Sequence, residues 1–378
     1  MGLARATLDV LPKPGGMSNR IGYMLLCSSI VAGCATATPE TAPRPTRPAE
    51  RPAPPAVRPV PLLSTPVRPL PPLGLDDAIR TQWRNFSGKV GVAVMNVETG
   101  WTIGQRVGEY FPQQSVSKTW VAMTVLDLVD QGRLRLDQRV RITPADLAVF
   151  HQPIRDRVIA NGGIDESVMS LLEQSITASD NSANDALLRT AGGPDAVRAF
   201  ITKRNLGAIR FGPGERAMQS AIAGIEWQQA YSVGRRFYSA REGLPYERRK
   251  AALDRYLADP VDGGSPAAIV AGLSRLAKGE LLSASSTQLL LGIMGRVRSG
   301  PNRLKAGVPA GWRFVHKTGT GQDLPPVSTG YNDIGIMTAP DGTRYAVAVM
   351  ISDTTASVPA RMAFMQSISR AVASHHPR

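Results

Sequence analysis

Cysteine is almost missing from this chain: of 378 residues only two are cysteine, Cys27 and Cys34, and both precede the bulk of the sequence. The remainder therefore has no thiol for a disulfide, a thiolate zinc site or a cysteine nucleophile. Histidine is scarce too, with four in all. His375 and His376 sit in the terminal tail, so only His151 and His316 lie inside the body, too few for a histidine-rich metal cluster. No Gly-x-Ser-x-Gly turn occurs, which removes one common setting for a serine paired with a histidine base. Any nucleophile has to be a serine, threonine or lysine.

Charge is plentiful but unfocused. Lysine and arginine total 44 against 30 acidic residues, a formal net charge of +14. Arg44, Arg47, Arg51, Arg58 and Arg68 belong to a proline-rich stretch and the others are scattered. No dense basic helix or RNA-binding signature is present, and no nucleic-acid partner is expected. A basic surface suits an anionic envelope or anionic substrates, or is simply solvated.

Of the 30 prolines, 13 crowd into residues 39–72 and set a front segment apart from the body. From Met17 the order Met-Ser-Asn-Arg, an apolar run over 21–32 and Gly33-Cys34 has the layout of a secretory signal. Met17 reads as the start of translation. Val31-Ala32-Gly33-Cys34 resembles a lipobox, in which Cys34 carries the acyl anchor; the run is too short to span a bilayer. Cleavage near Ala35-Thr36-Ala37 is the alternative. Residues 1–34 are thus read as a signal, 35–73 as a semi-rigid polyproline linker and 74–378 as one folded domain. The expected location is periplasmic, either free or as a membrane-anchored lipoprotein facing the periplasm.

The body opens with a helical pattern at Leu75 whose first turn is acidic. A β-branched run over 90–97, a turn at Glu98-Thr99-Gly100 and a strand over 101–104 predict a hairpin. Apolar residues recur so densely from Ser115 to Asp130 that the spacing predicts a helix buried almost all round. Residues 142–294 are mostly helical in pattern. Strands return at 313–317, 332–339 and 344–352, and 359–373 reads as a closing amphipathic helix. Strands at both ends with helices between predict an α+β fold: an antiparallel sheet of about five strands, flanked by helices and completed by the two chain halves, with an inserted all-α subdomain.

Three motifs carry chemistry. Ser115-Val116-Ser117-Lys118 opens the buried helix, and its three-residue spacing sets a hydroxyl and an amine on one face, a nucleophile beside a base. Ser179-Asp180-Asn181 reads either as a site element or as a helix cap. His316-Lys317-Thr318-Gly319-Thr320 lies on an apolar strand, where glycine admits close backbone approach. The set, in this order, resembles the class A β-lactamases of the penicillin-binding-protein superfamily, and the likeness runs along almost the whole body, including Ala191-Gly192-Gly193-Pro194 and Pro309-Ala310-Gly311-Trp312.

The resemblance implies an acyl-transfer enzyme. Ser115 would be the acylated nucleophile, Lys118 its base or proton shuttle, and Ser179 the relay to the leaving nitrogen. Asn181 would bind the side-chain amide, while Lys317, Thr318 and Gly319 would lie along the substrate carboxylate. The backbone N–H groups of Ser115 and Thr320 would form the oxyanion hole, and Glu215 would activate the deacylating water. The implied substrate is a small β-lactam or peptidoglycan-like molecule, with no metal or cofactor and a monomeric protein. A DD-peptidase or esterase on the same Ser-Lys scaffold, and a non-catalytic penicillin-binding envelope lipoprotein, are the alternatives.

Three departures from that family pattern stand out. Asp185 replaces an asparagine beside Glu215, and two adjacent carboxylates raise the pKa of one of them. Residues 216–265 form a longer loop, with Trp227, Tyr231, Phe237, Tyr238 and Tyr246 as aromatic body and Glu226 as a second candidate base. Residues 322–330 replace a tight connection between the last strands, and the carboxylate-binding arginine has no obvious match, with Arg361 as the candidate.

Overall fold

The computed structural model describes residues 69–377; the signal-like segment, Cys34 and most of the proline-rich stretch fall outside them. Helix α1 (Leu75–Arg84) carries Asp76 and Asp77 in its first turn. It leads to strand β1 (Lys89–Asn96), which turns back antiparallel into β2 (Thr102–Gln105) with Met95 opposite Thr102. The turn is held by the Asn96 carboxamide oxygen, which accepts the Glu98 and Thr99 amides at 2.9 and 2.8 Å.

The C-terminal strands β7 (Arg313–Gly319), β8 (Ser328–Thr338) and β9 (Arg344–Thr354) complete a five-stranded sheet in the order β2-β1-β9-β8-β7, antiparallel throughout. β9 lies beside β1, so the two ends of the body meet inside one sheet. Alternation along β9 decides its two faces. Val347, Val349 and Ile351 join Leu75, Ile79, Phe364 and Ile368 in the core beneath α1 and the closing helix α12 (Val358–Ser374). Ala346, Ala348 and Met350 turn to the larger core on the other face. The small side chains there, with Ala93 and Gly91 of β1, let the neighbouring layer come close: a Cβ on Gly91 would sit 2.5 Å from the Phe111 ring.

The helical subdomain, inserted in sequence between the two halves of the sheet, packs on the face lined by Ala93, Ala346, Ala348 and Met350. It comprises α2 (Lys118–Asp130), α3 (Arg155–Ala160), α4 (Val168–Thr177), α5 (Asn181–Thr190), α6 (Pro194–Lys203), α10 (Pro266–Ala277) and α11 (Ala284–Met294). A small hairpin of β4 (Arg139–Ile142) and β5 (Ile164–Ser167) edges it, and the two-residue strands β3 (Phe111–Pro112) and β6 (Gly263–Gly264) pair with each other. The long loop is itself helical, with α7 (Glu215–Ala223), α8 (Arg236–Glu242) and α9 (Tyr246–Ala258).

Helix α2 is the hub. All of residues 118–127 are buried, with Trp120, Val121, Met123, Val125 and Leu126 fully enclosed. Its start differs from the sequence expectation: Gln114–Ser117 form a 3-10 turn and the α-helix begins at Lys118, not Ser115. The cause is local. Gln114 is held at φ 52 while the buried Asp262 carboxylate accepts its amide at 2.7 Å and the Ser117 hydroxyl donates to its carbonyl at 2.7 Å. Ser115 therefore rides on a tight turn at the head of a rigid helix.

Candidate active site

A cleft of about 670 Å³ opens where the β7 edge of the sheet faces the helical subdomain, and Ser115, Ser179, Asn181, Glu215, Thr318 and Thr320 all line it. Lys118 is fully buried at its floor. Its ammonium donates to Ser115 Oγ at 2.9 Å, Asn181 Oδ1 at 2.9 Å and Glu215 Oε1 at 2.6 Å, which uses all the donors an ammonium has. The two buried charges of Lys118 and Glu215 thus neutralise each other next to a hydroxyl.

The second motif divides its labour. Ser179, in a left-handed backbone conformation at φ 59, turns its hydroxyl to the Lys317 ammonium at 2.9 Å. Asp180 faces away from the cleft: it caps α5 through the Ala183 amide and takes the Ile154 amide on its other oxygen, at 2.9 and 2.8 Å. Asn181 donates to the Val149 carbonyl at 2.7 Å, so its orientation is set from both ends. A site element and a helix cap coexist in three residues.

On β7, Lys317 is fully buried. Burial first, then the charges of Lys118 and Arg303, hold its pKa well below the ordinary lysine value. Thr318 Oγ1 shares a hydrogen bond with Ser299 Oγ at 2.7 Å. Gly319 is required by approach, since a Cβ there would lie 2.4 Å from the Gln113 carbonyl, so its absence lets the strand lie against the turn that carries Ser115. His316 points elsewhere: its Nδ1 meets Asp333 Oδ1 at 2.9 Å, both fully buried.

The arginine near Thr318 and Thr320 is Arg303, not Arg361. Arg303 donates to the Gly319 and Asn332 carbonyls at 2.7 and 2.6 Å and to Thr320 Oγ1 at 2.6 Å, and it lines the cleft. Arg361 sits on α12 and stacks 4.8 Å from the Tyr331 ring centroid, outside the cleft lining. The guanidinium comes from the turn after Gly300, where no periodicity marks it. Glu226 is exposed and does not line the cleft. Of the loop aromatics Tyr238 does, Phe237 is buried behind it, and Trp227 and Tyr231 pack edge-on alongside.

The sequence also gives no sign of a buried polar chain behind Glu215. Gln219 Nε2 donates to Gln114 Oε1 at 2.9 Å and lies 3.3 Å from Glu215 Oε2, and Gln322 Nε2 donates to Gln219 Oε1 at 2.9 Å. Gln114 Nε2 in turn donates to the Tyr256 hydroxyl at 2.6 Å, which donates to Asp262 at 2.9 Å. Three glutamines spaced by a hundred residues carry no local signal. Their only sequence trace is that each neighbours a motif or the long loop.

Asp185 accepts the Glu215 amide at 3.4 Å. Burial, then the Glu215 charge, pushes its carboxyl up to about 6. Its folded value lies above the ordinary 3.8, so its contribution to stability is fully present below pH 4 and is lost as pH rises through 6. Asp185→Asn, which cannot ionise, is expected to match the parent near pH 4 and to exceed it at pH 8 by on the order of 1–3 kcal/mol. Urea unfolding of both proteins at the two pH values checks this, and a pH-independent difference would contradict it.

Fold and site together define a serine hydrolase: a hydroxyl with an adjacent buried lysine, a carboxylate within reach and a cationic end to the cleft. Comparison with known proteins gives the class a family. A model of the beta-lactamase enzyme family matches residues 74–376, and the chain belongs to that family, among its class A enzymes. It is 27% identical to beta-lactamase VEB-1 of Pseudomonas aeruginosa over 269 residues, covering 71% of this chain and 79% of that protein. It is 31% identical to beta-lactamase L2 of Stenotrophomonas maltophilia over 251 residues, covering 66% and 68%. The structure of TLA-1 extended-spectrum beta-lactamase superposes with a TM-score of 0.67 at 27% identity, over 80% of this chain and 98% of that one. A beta-lactamase from Chitinophaga pinensis gives 0.65 at 29%, over 79% and 98%.

Proposed function

We propose that this enzyme hydrolyses β-lactams through an acyl-enzyme on Ser115. The observation that carries the reading is the Lys118 ammonium held between Ser115 and Glu215. Passing one proton to Glu215 leaves a neutral amine 2.9 Å from the hydroxyl, able to take its proton as Oγ attacks the lactam carbonyl. The developing oxyanion is met by the backbone N–H groups of Ser115 and Thr320, each such donor contributing about 3–4 kcal/mol. As the C–N bond breaks, the proton taken by Lys118 passes through Ser179, next to Lys317, to the leaving nitrogen, and Glu215 returns its proton to Lys118, which restores the carboxylate. Asn181 binds the substrate amide, and Lys317, Thr318 and Arg303 draw its carboxylate. Water then attacks the ester, Glu215 takes its proton, and Ser115 leaves with one.

Glu215 favours a lactamase over a DD-peptidase on this scaffold, because a buried carboxylate beside the nucleophile supplies the hydrolytic half-reaction. The lead segment supports export, with Cys34 as the anchor and residues 35–73 as the spacer, and no helix among the described residues is long and apolar enough to cross a membrane. The test is acid-quenched peptide mapping of the protein turning over a penicillin. A transient adduct on the peptide holding Ser115, with ring-opened product in excess over protein, is expected. An adduct elsewhere, or none with no product, overturns the proposal.

A further inference from the structure

The cleft has two cationic groups, and only one has a role in the chemistry above. Lys317 and Arg303 form the first. A second cation stands on the part of the wall built by Tyr238 and Arg241 of the long loop, Gln322 and Asp323 of the turn after β7, and Phe150 from the segment before α3. A short path ties this wall to the base, since Glu215 meets Gln219, Gln219 accepts from Gln322, and the Asp323 carbonyl accepts from Arg241 Nη2 at 2.7 Å.

Arg241 is under-neutralised. Its direct acceptor is a neutral carbonyl, and its buried Nε has no acceptor, as is also true of nearby Arg249. Burial, then the charge of Arg249, lowers its pKa. Two carboxylates offset it in part: Asp323, which is exposed and lines the cleft, and Glu242, which pairs with Arg235 at 3.7 Å. Beside the guanidinium, Tyr238 is 39% exposed and packs 5.6 Å from Phe150, giving an aromatic surface with a cation at its edge.

With its carboxylate at Lys317 and its amide at Asn181, a β-lactam leaves its acyl substituent to the rest of the cleft lining, of which this wall is a part. We infer that Arg241 is a specificity-determining residue that selects penicillins whose acyl side chain carries its own carboxylate, with Phe150 and Tyr238 receiving an aryl group. The inference rests on the β-lactamase reading and adds a substrate class to it. A charge-assisted hydrogen bond to a partly desolvated guanidinium is the source of the preference, and salt weakens it because the wall is open to solvent.

The test compares benzylpenicillin with α-carboxybenzylpenicillin, which differ by one carboxylate, and reads the ratio of their kcat/KM values on the full chain. Arg241→Gln is expected to lower the dianion's share by about tenfold, the low end for one hydrogen bond to a charged group. Arg241→Lys keeps most of the preference, and Asp323→Asn raises it. Raising ionic strength lowers the ratio in the parent and not in Arg241→Gln. An unchanged ratio in Arg241→Gln overturns the inference while leaving the lactamase reading intact. If Arg241→Gln fails to fold, an unchanged ratio in Asp323→Asn does the same. Absence of acylation by either penicillin in the parent removes both.

Discussion

Glu215→Ala is expected to turn the enzyme into a penicillin trap. Acylation keeps its amine: with the Glu215 charge gone, burial disfavours an ammonium and so supplies the neutral form that Glu215 otherwise creates, and Lys118 keeps its contacts to Ser115 and Asn181 in the variant. Deacylation needs a base within reach of water; Asp180 is spent capping α5, Asp262 is held by Tyr256 and the Gln114 amide, Glu226 is outside the cleft lining, and Asp323, which does line it, stands on the wall beside Arg241, whereas Glu215 is bonded to Lys118, the partner of Ser115. Asp185 faces the Glu215 backbone amide and does not line the cleft. Release of the penicilloyl group should slow by about 10²–10⁴, the usual worth of a positioned general base. Intact-protein mass spectrometry would find a stoichiometric adduct persisting where the parent shows free enzyme. Continued turnover at the parent rate would move the base to another residue.

Lys118→Ala should be harsher, because it strikes chemistry and stability together. Ser115 loses its only base, and acylation is expected to fall by at least about 10³. Glu215 and Asn181 keep acceptor oxygens that no longer have a donor, in a site where Lys118 is 0% and Glu215 5% exposed. Removing one member of a buried pair costs about 3–5 kcal/mol, a large fraction of a domain's net stability of about 5–15 kcal/mol. Stopped-flow acylation and urea melts measure the two losses separately. A variant as stable as the parent would mean that water or neighbouring groups already solvate this carboxylate.

Much of this was legible beforehand because it repeats locally. The hairpin at 89–105, the buried hub helix and the three C-terminal strands follow from β-branched alternation and from an apolar run too dense for a surface helix. The cleft residues were legible because the Ser-Lys, Ser-Asp-Asn and Lys-Thr-Gly motifs each keep their members within a few positions. What escaped was long-range polar bonding. Arg303 reaches Thr320 from a turn without periodicity, and the Gln114, Gln219 and Gln322 chain joins three segments that only the fold brings together. Arg361 illustrates the same limit from the other side, as an arginine at a plausible position whose helix lies against Tyr331. The 3-10 start of the hub helix escaped for the same reason, being imposed by Asp262 far along the chain.

The pairing of β9 with β1 has a consequence for how the molecule is made. A chain threaded through a translocation channel from its N-terminus delivers residues 89–105 early, with one long edge still unpaired, and the strand that covers it, residues 344–354, emerges about 240 residues later, ahead of α12 alone. The sheet cannot close until nearly the whole polypeptide has crossed, since non-local pairing must wait for its partner segment. On the export route proposed above, maturation is therefore a post-translocational event. In the interval, the apolar faces of β1 and α1 are exposed to whatever holdase the destination compartment offers.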